Sequence, residues 1–367
     1  MRWSTLLFLL PASAFGQALQ PTLLSTLPQA LDEVSGMVMV DGAAWVVLDS
    51  FNPAVLHQVD PATGAIVRSL TITGAANVDW EELTTDGEYV YIGDIGNNLG
   101  MRTDLRILRF PLAVLQDEDA TSTPVETIAF AYADQTDFTP ALDGSNWDCE
   151  AMVALDDSLF LFTKNWVDQR SHLYVLPAQP GTHLAVRRDT LNAQGLITGA
   201  ASLPDGSSIA LIGHTMGVEP FIWQLSAFPG HDLCGGAAER RMLDMPPEQT
   251  EGIAWAATDT VLISNERGNS GPARLWRLHL DLFDGIAERS IRRVALFHPD
   301  PATDELTIAG APERAHLRIL DSEGRTVLQG SVINGDPVDV HMLPAGPYVL
   351  QLSTGGTVVR DRLVIAR

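Results

Sequence analysis

The stretch NVDWEELTTDGEYVYIGDIGNN, residues 77–98, has acids and amides at both ends and aliphatic and aromatic residues between them. Asp86-Gly87 is a turn signal, and the runs on either side of it alternate with the period of two expected of strands. The stretch is therefore a hairpin, and its ends lie side by side. That places Asp79, Glu81 and Glu82 at its start close to Asp94, Asn97 and Asn98 at its finish. Either these polar groups form a solvated edge, or they meet at one place and hold something there.

The same plan recurs along the chain. A polar residue, a small or apolar one, a strand, a turn and a second strand with a polar exit appear in five places. They are SGMVMVDGAAWVVLD from Ser35, ELTTDGEYVYIGD from Glu82, EAMVALDDSLFLFTK from Glu150, TGAASLPDGSSIALIGH from Thr198 and EGIAWAATDTVLISN from Glu251. The starts are 47, 68, 48 and 53 residues apart, and each hairpin is followed by one or two further strands. A unit of four strands repeated at this spacing is the pattern of a β-propeller blade. The expectation is an all-β chain with a five-bladed propeller over residues 19–292. A degenerate sixth blade in the long second interval is the alternative. DEDATSTP and ADQTDFTPALDGSN in that interval read as loops, and PTLLSTLP (21–28) as the outer strand that closes the ring on the last blade.

With 46 acids against 23 bases the chain has a formal charge of -23, and Lys164 is its one lysine. Such a surface repels phosphate backbones and anionic membranes, which argues against nucleic acid as a partner. The N-terminus, MRWSTLLFLLPASAFGQA, has an early arginine, a short apolar run and small residues after it. This is the layout of a secretory signal peptide over residues 1–18, and no later segment is a transmembrane candidate. In an exported protein Cys149 and Cys234 could form a disulfide or stay free, and sequence leaves both open.

From about residue 293 the character changes to short strands with SEG, NGDP, PAG and TGG turns, which suits a small Ig-like antiparallel β-sandwich over 293–367. The order of motifs is His298-Pro299-Asp300-Pro301-Ala302-Thr303, then LTI, ILDSEGRTVLQG, LPAGPYVLQL and RLVIAR. It closely resembles the C-terminal sorting domain of type IX secretion cargo, with Asp300 where that family usually has Asn. The resemblance implies passage through the periplasm to the cell surface or the extracellular space, with the type IX secretion machinery as partner. The propeller resembles, more distantly, secreted phytase-like and regulated-surface propellers through DWEEL, YIGDIGNN and Arg102.

In a propeller the start of each blade's innermost strand and the end of its second strand share one face of the central channel. The repeat then gathers Ser35, Glu82, Glu150, Thr198 and Glu251 with Asp49, Asp94, Lys164, His214 and Asn265. Asn97, Asn165 and Glu266 flank them, and the expected ligand-binding groups are Asp49, Asp94, Asn97, Lys164, Asn165, His214, Asn265 and Glu266. Three carboxylates at one mouth need a cation, a base or a bound proton to offset their repulsion. Ca²⁺ held by Glu82, Glu150 and Glu251 is one answer, since calcium takes six to eight oxygen ligands. Neutralisation by Lys164 is the other. The expected function is capture of a small-molecule or glycan ligand at this face; the alternative is a calcium-dependent hydrolase of the lactonase or phosphoesterase kind. No HExxH or GxSxG motif is present to decide for an enzyme.

Overall fold

The computed structural model describes residues 18–280, 296–298, 302–309, 315–321, 325–333, 335–354 and 357–366. The expected signal peptide and the link at 281–295 lie outside the described residues, apart from Ala18. The chain forms two compact units that divide at Leu282 and Phe283.

In the first unit every repeat becomes an antiparallel meander. The first runs through Val34–Val40, Ala43–Leu48, Val55–Val59 and Ile66–Thr73, and the second through Trp80–Thr85, Tyr89–Asp94, Arg106–Pro111 and Glu126–Tyr132. The third is Cys149–Leu155, Ser158–Thr163, Ser171–Pro177 and Gly181–Leu191, and the fourth Leu196–Ser202, Ser208–His214, Pro220–Ser226 and Ala237–Met242. The fifth has Thr250–Ala257, Thr260–Asn265 and Arg274–His279, and Thr22–Thr26 pairs antiparallel to its outer edge. The N-terminal strand thus closes the ring on the last meander, as PTLLSTLP suggested.

Inner strands pack in chain order, each against the next, and the fifth returns to the first. Both faces of a blade are buried in this arrangement, so alternate residues feed two different cores. Val90 and Ile92 join Val38, Trp45 and Val47 of the first meander. Tyr91 between them joins Met152, Leu159 and Leu161 of the third. Comparable clusters join the third to the fourth, the fourth to the fifth, and the fifth to the first through Ala254, Leu262, Met37 and Val46. Each such buried aliphatic contributes about 1.5–3 kcal/mol over its exposed state. This unit is the β-propeller that the repeat implies.

The long second interval holds further pairing. Ser122–Pro124, within the stretch read as a loop, pairs parallel with Ile66–Thr73 and extends the first meander. The outer strands Glu126–Tyr132 and Gly181–Leu191 also pair parallel, which fuses the second and third meanders into one eight-stranded sheet. Their N–H and C=O groups satisfy one another across an edge that would otherwise face water. Cys149 and Cys234 are both free thiols, so the disulfide option is not realised.

The second unit has a three-stranded sheet (Leu296–His298, Glu305–Ala309, Pro337–Asp339) and a four-stranded one. The latter is ordered Thr326–Val332, Ala315–Leu320, Gly346–Thr354, Thr357–Ile365. Leu306, Ile308, Leu317, Leu350 and Leu363 form a common core between them.

Candidate functional site

Every inner strand of the propeller has an irregularity in the same place. Pairing with the second strand jumps between Val34 and Met37, Trp80 and Glu82, Cys149 and Ala151, Ile197 and Gly199, and Thr250 and Ile253. One extra residue is inserted at each jump, a β-bulge that re-aims side chains at the strand start. In the three jumps that skip one residue the inserted side chain is Glu81, Glu150 or Thr198; Ser35 and Glu251 sit in the other two. This corrects the repeat alignment by one residue in the second meander. Glu81, not Glu82, corresponds to Glu150, and Glu82 corresponds to Ala151, Gly199 and Gly252. That second position is small elsewhere because neighbouring backbone presses on it: a Cβ on Gly252 would lie 2.8 Å from Ser35 O.

Glu82 uses its place differently. Its carboxylate is fully buried and accepts Leu83 N at 2.9 Å and, across the ring in the fourth meander, Ala200 N at 2.7 Å. Burial pushes its pKa well above the usual range against the pull of these amides. Glu82, Glu150 and Glu251 therefore do not converge on one ion. Among the described residues the group that does is Asp49, Asp79 and Glu81, which offer oxygens all within 4.8 Å of one another.

Local sequence builds that group. Asn77 Nδ2 donates to Leu48 O and Asp49 O at 2.8 Å, and its Oδ1 accepts Trp80 N at 3.0 Å. This ties the start of the hairpin to the end of the first meander's second strand. Asp79 O accepts the N–H groups of Ile95 and Gly96, so the two hairpin ends are held together. Gly96 leaves room for the carboxylates of Glu81 and Asp79, which a Cβ at this position would push aside. Glu81 is 6% exposed, and its carboxylate oxygens keep some contact with solvent. Burial, then the charges of Glu150, Asp49, Asp79 and Asp148, push its pKa well above the usual range. Burial followed by Asp49 and Asp148 lifts Asp79 to about 7, partly countered by Arg102.

Lys164 answers a different need. Its Nζ lies 2.6 Å from the Glu150 carboxylate, with both side chains buried, and 4.9 Å from the Trp166 ring centroid. Glu150 nevertheless remains raised, because burial outweighs the lysine. Glu251 is lifted to about 7, chiefly by burial, with Lys164 opposing. Glu266 is lifted to about 9 by burial and then by Glu251 and Asp49. His214 Nδ1 lies 2.9 Å from Thr215 O, while its buried Nε2 has no partner. Burial and Lys164 hold this imidazole near 4, so it is neutral at physiological pH.

The remaining expected groups serve the scaffold. Asp94 takes Arg102 at 2.9 Å and Arg106 at 2.8 Å. Asn97 N donates to Asp148 Oδ1 at 2.7 Å and Asn97 Nδ2 to Trp147 O, which joins the second meander to the third. Asn165 bonds Thr163 and Asp168, and Asn265 accepts Trp276 Nε1 at 2.8 Å while donating to Glu266 O. Trp80 is buried between the first two meanders, and Trp147 packs against Tyr132 and Tyr174. Sequence reasoning placed Glu81 at the hairpin's start but gave the ring position to Glu82. Strict alternation points the two to opposite faces, and a bulge was needed to turn Glu81. The pair of consecutive glutamates aligned with CEA and TEG was the available signal.

The family pattern of the secretion system C-terminal sorting domain matches residues 296–366. The chain thus carries the address of type IX cargo and is exported across the periplasm to the cell surface or the extracellular space. Among the described residues no helix is long and apolar enough to cross a membrane. No curated protein matches the sequence. Among solved structures, one described as PorZ, a surface component of the type IX secretion system of Porphyromonas gingivalis, is 14% identical with a TM-score of 0.36. That match covers 91% of this chain and 45% of the other, so this chain spans less than half of its length. A putative 6-phosphogluconolactonase from Bacteroides fragilis is 11% identical with a TM-score of 0.35, covering 89% and 98% of the two chains. The propeller assignment rests on the ring of inner strands and not on these scores.

Proposed function

We propose that this exported propeller captures a small-molecule or glycan ligand at the strand-start mouth of its channel, with a calcium ion held by Asp49, Asp79 and Glu81. The observation that carries this is the convergence of three carboxylates, Asp49, Asp79 and Glu81, whose oxygens lie within 4.8 Å of one another. Like charges this close, at a largely buried place, are costly unless a proton or a cation compensates them. Oxygen-only ligands from carboxylates suit a hard divalent ion, and water or ligand hydroxyls would complete the shell. Lys164 and the free acceptor of His214 Nε2 lie at the same mouth and offer a hydrogen-bond donor and an acceptor to a hydroxylated ligand. The test is binding of a panel of mono- and oligosaccharides to the full chain, in calcium and in chelator. Calcium-dependent binding that disappears in Glu81→Gln is the expected result. Equal binding in chelator would remove calcium from the account, and no binding in either condition would remove the glycan.

A further inference from the structure

The loops at the strand-start mouth differ in one respect from the turns at the other end of the propeller. Phe51, Val78, Leu99, Leu142, Val167 and Met216 are large apolar side chains that face solvent. All six lie on loops that leave a second strand or enter an inner one. Among the described residues the turns at the opposite end expose no large apolar side chain, while Val67 and Leu184, also exposed, lie on outer strands. Single apolar residues scattered over a surface need no explanation, but a set gathered on one face marks a place of contact.

This set borders the polar groups of the mouth. Phe51 is two residues beyond Asp49, Val78 immediately precedes Asp79, Val167 is three beyond Lys164 and Met216 two beyond His214. Asn77 ties the loop after Asp49 to the start of the second hairpin, so Phe51 and Val78 flank the carboxylates of Asp49, Asp79 and Glu81. Leu142 is brought beside Leu99, because Ala141 N donates to Leu99 O at 3.0 Å and Asp143 N to Asn98 O at 3.2 Å. Phe51 also holds a φ of 65°, a left-handed conformation that is costly for a bulky residue. Its ring is fully exposed, so no packing within the chain offsets that cost.

Charge narrows what covers this face. A second copy would set two acidic mouths against each other, and the charge of -23 opposes an anionic bilayer. Apolar groups around an oxygen-lined centre suit a single ligand with a hydroxylated head and an apolar substituent. We infer, building on the calcium and glycan reading above, that the ligand is a soluble glycoside or sugar ester bearing an aliphatic or aryl group. The sugar enters the mouth, and the apolar group lies against Phe51 and Val78.

The experiment titrates methyl and octyl glycosides of glucose, galactose and mannose, each below its micelle concentration, into the full chain in calcium. For a sugar that binds, the octyl glycoside should bind at least about tenfold more tightly than the methyl one, the gain from burying about two methylenes. Phe51→Asn with Val78→Ser should bring the two glycosides to within about threefold of each other; asparagine is at ease in the left-handed conformation, so the loop is kept. Val67→Ser with Leu184→Ser removes apolar surface away from the mouth and should leave the octyl preference intact. Equal binding of the two glycosides, or equal loss of the preference in both double variants, would overturn the apolar subsite and leave the saccharide reading standing. An octyl preference that persists in chelator and in Glu81→Gln would uphold the subsite and remove calcium. Zwitterionic vesicles without sugar that bind as strongly as the octyl glycoside would point to a bilayer and overturn the soluble ligand. Absence of binding by every glycoside would overturn both readings.

Discussion

Glu81 and Glu82 are neighbours in sequence with opposite fates. Glu82 is satisfied by backbone: Leu83 N and Ala200 N both donate to it. Replacing it with alanine leaves a buried N–H unpaired, which costs about 1–3 kcal/mol, without removing any group from the carboxylate cluster. Glu82→Ala should therefore lower the melting temperature and retain the response to calcium. Glu81→Gln should do the reverse, with a near-normal calcium-free melting temperature and no calcium response; thermal unfolding of both variants with and without calcium checks this. Lys164 makes a third case. Lys164→Met strands Glu150 in the interior, and removing one partner of a buried pair costs about 3–5 kcal/mol, to be read from denaturant unfolding. A loss near zero would mean that Glu150 is held mainly by a proton. The need for compensation at this mouth was legible from sequence, because three acids and one lysine recur at fixed places in the repeat. Which acids share a site was not. That depends on a one-residue bulge, and a shift of one residue moves a side chain to the other face of a strand.

At the scale of elements, the strand starts gather acids whose pKa values are raised to about 7 for Asp79 and Glu251 and to about 9 for Glu266. In the unfolded chain such groups titrate near 4, so between those values the folded state binds more protons than the unfolded one. Their contribution to stability is complete at low pH and is lost as pH rises through 7 and then 9. The calcium-free protein should accordingly lose melting temperature from about pH 4.5 to pH 9, most steeply below pH 7, and Glu266→Gln should flatten the part of that fall above pH 7. A flat profile over this range in the parent protein would show that the acids are not held protonated. Strands and turns were readable because alternation and Asp-Gly signals are local. The parallel pairing of Glu126–Tyr132 with Gly181–Leu191 was not, since edge-to-edge contact between meanders leaves no local pattern. The closing strand was legible only through its repeat position. Deleting residues 18–27 removes the partner of Arg274–His279 and should abolish a single cooperative unfolding transition of the propeller.

For the whole molecule, the sorting domain at 296–366 supplies the destination, and the propeller carries the proposed binding site. Removing the sorting domain should leave the propeller in the periplasm, measured by fractionation of cells expressing the truncated chain; its appearance outside the cell would separate export from this domain. The charge of -23 is consistent with a surface that draws cations, and the strand-start mouth is where burial makes a cation most useful. A ligand that binds only the folded state at about a hundredfold above its Kd adds about 2.7 kcal/mol, a rise of a few degrees for a domain of this size. The most direct measurement is isothermal titration of calcium into the metal-free full chain, beside the Glu81→Gln variant. The account predicts one calcium per chain, bound more tightly as pH rises from 6 to 8 while Asp79 gives up its proton, and no binding to the variant. Absence of heat in the parent chain, or the same isotherm in Glu81→Gln, would contradict it.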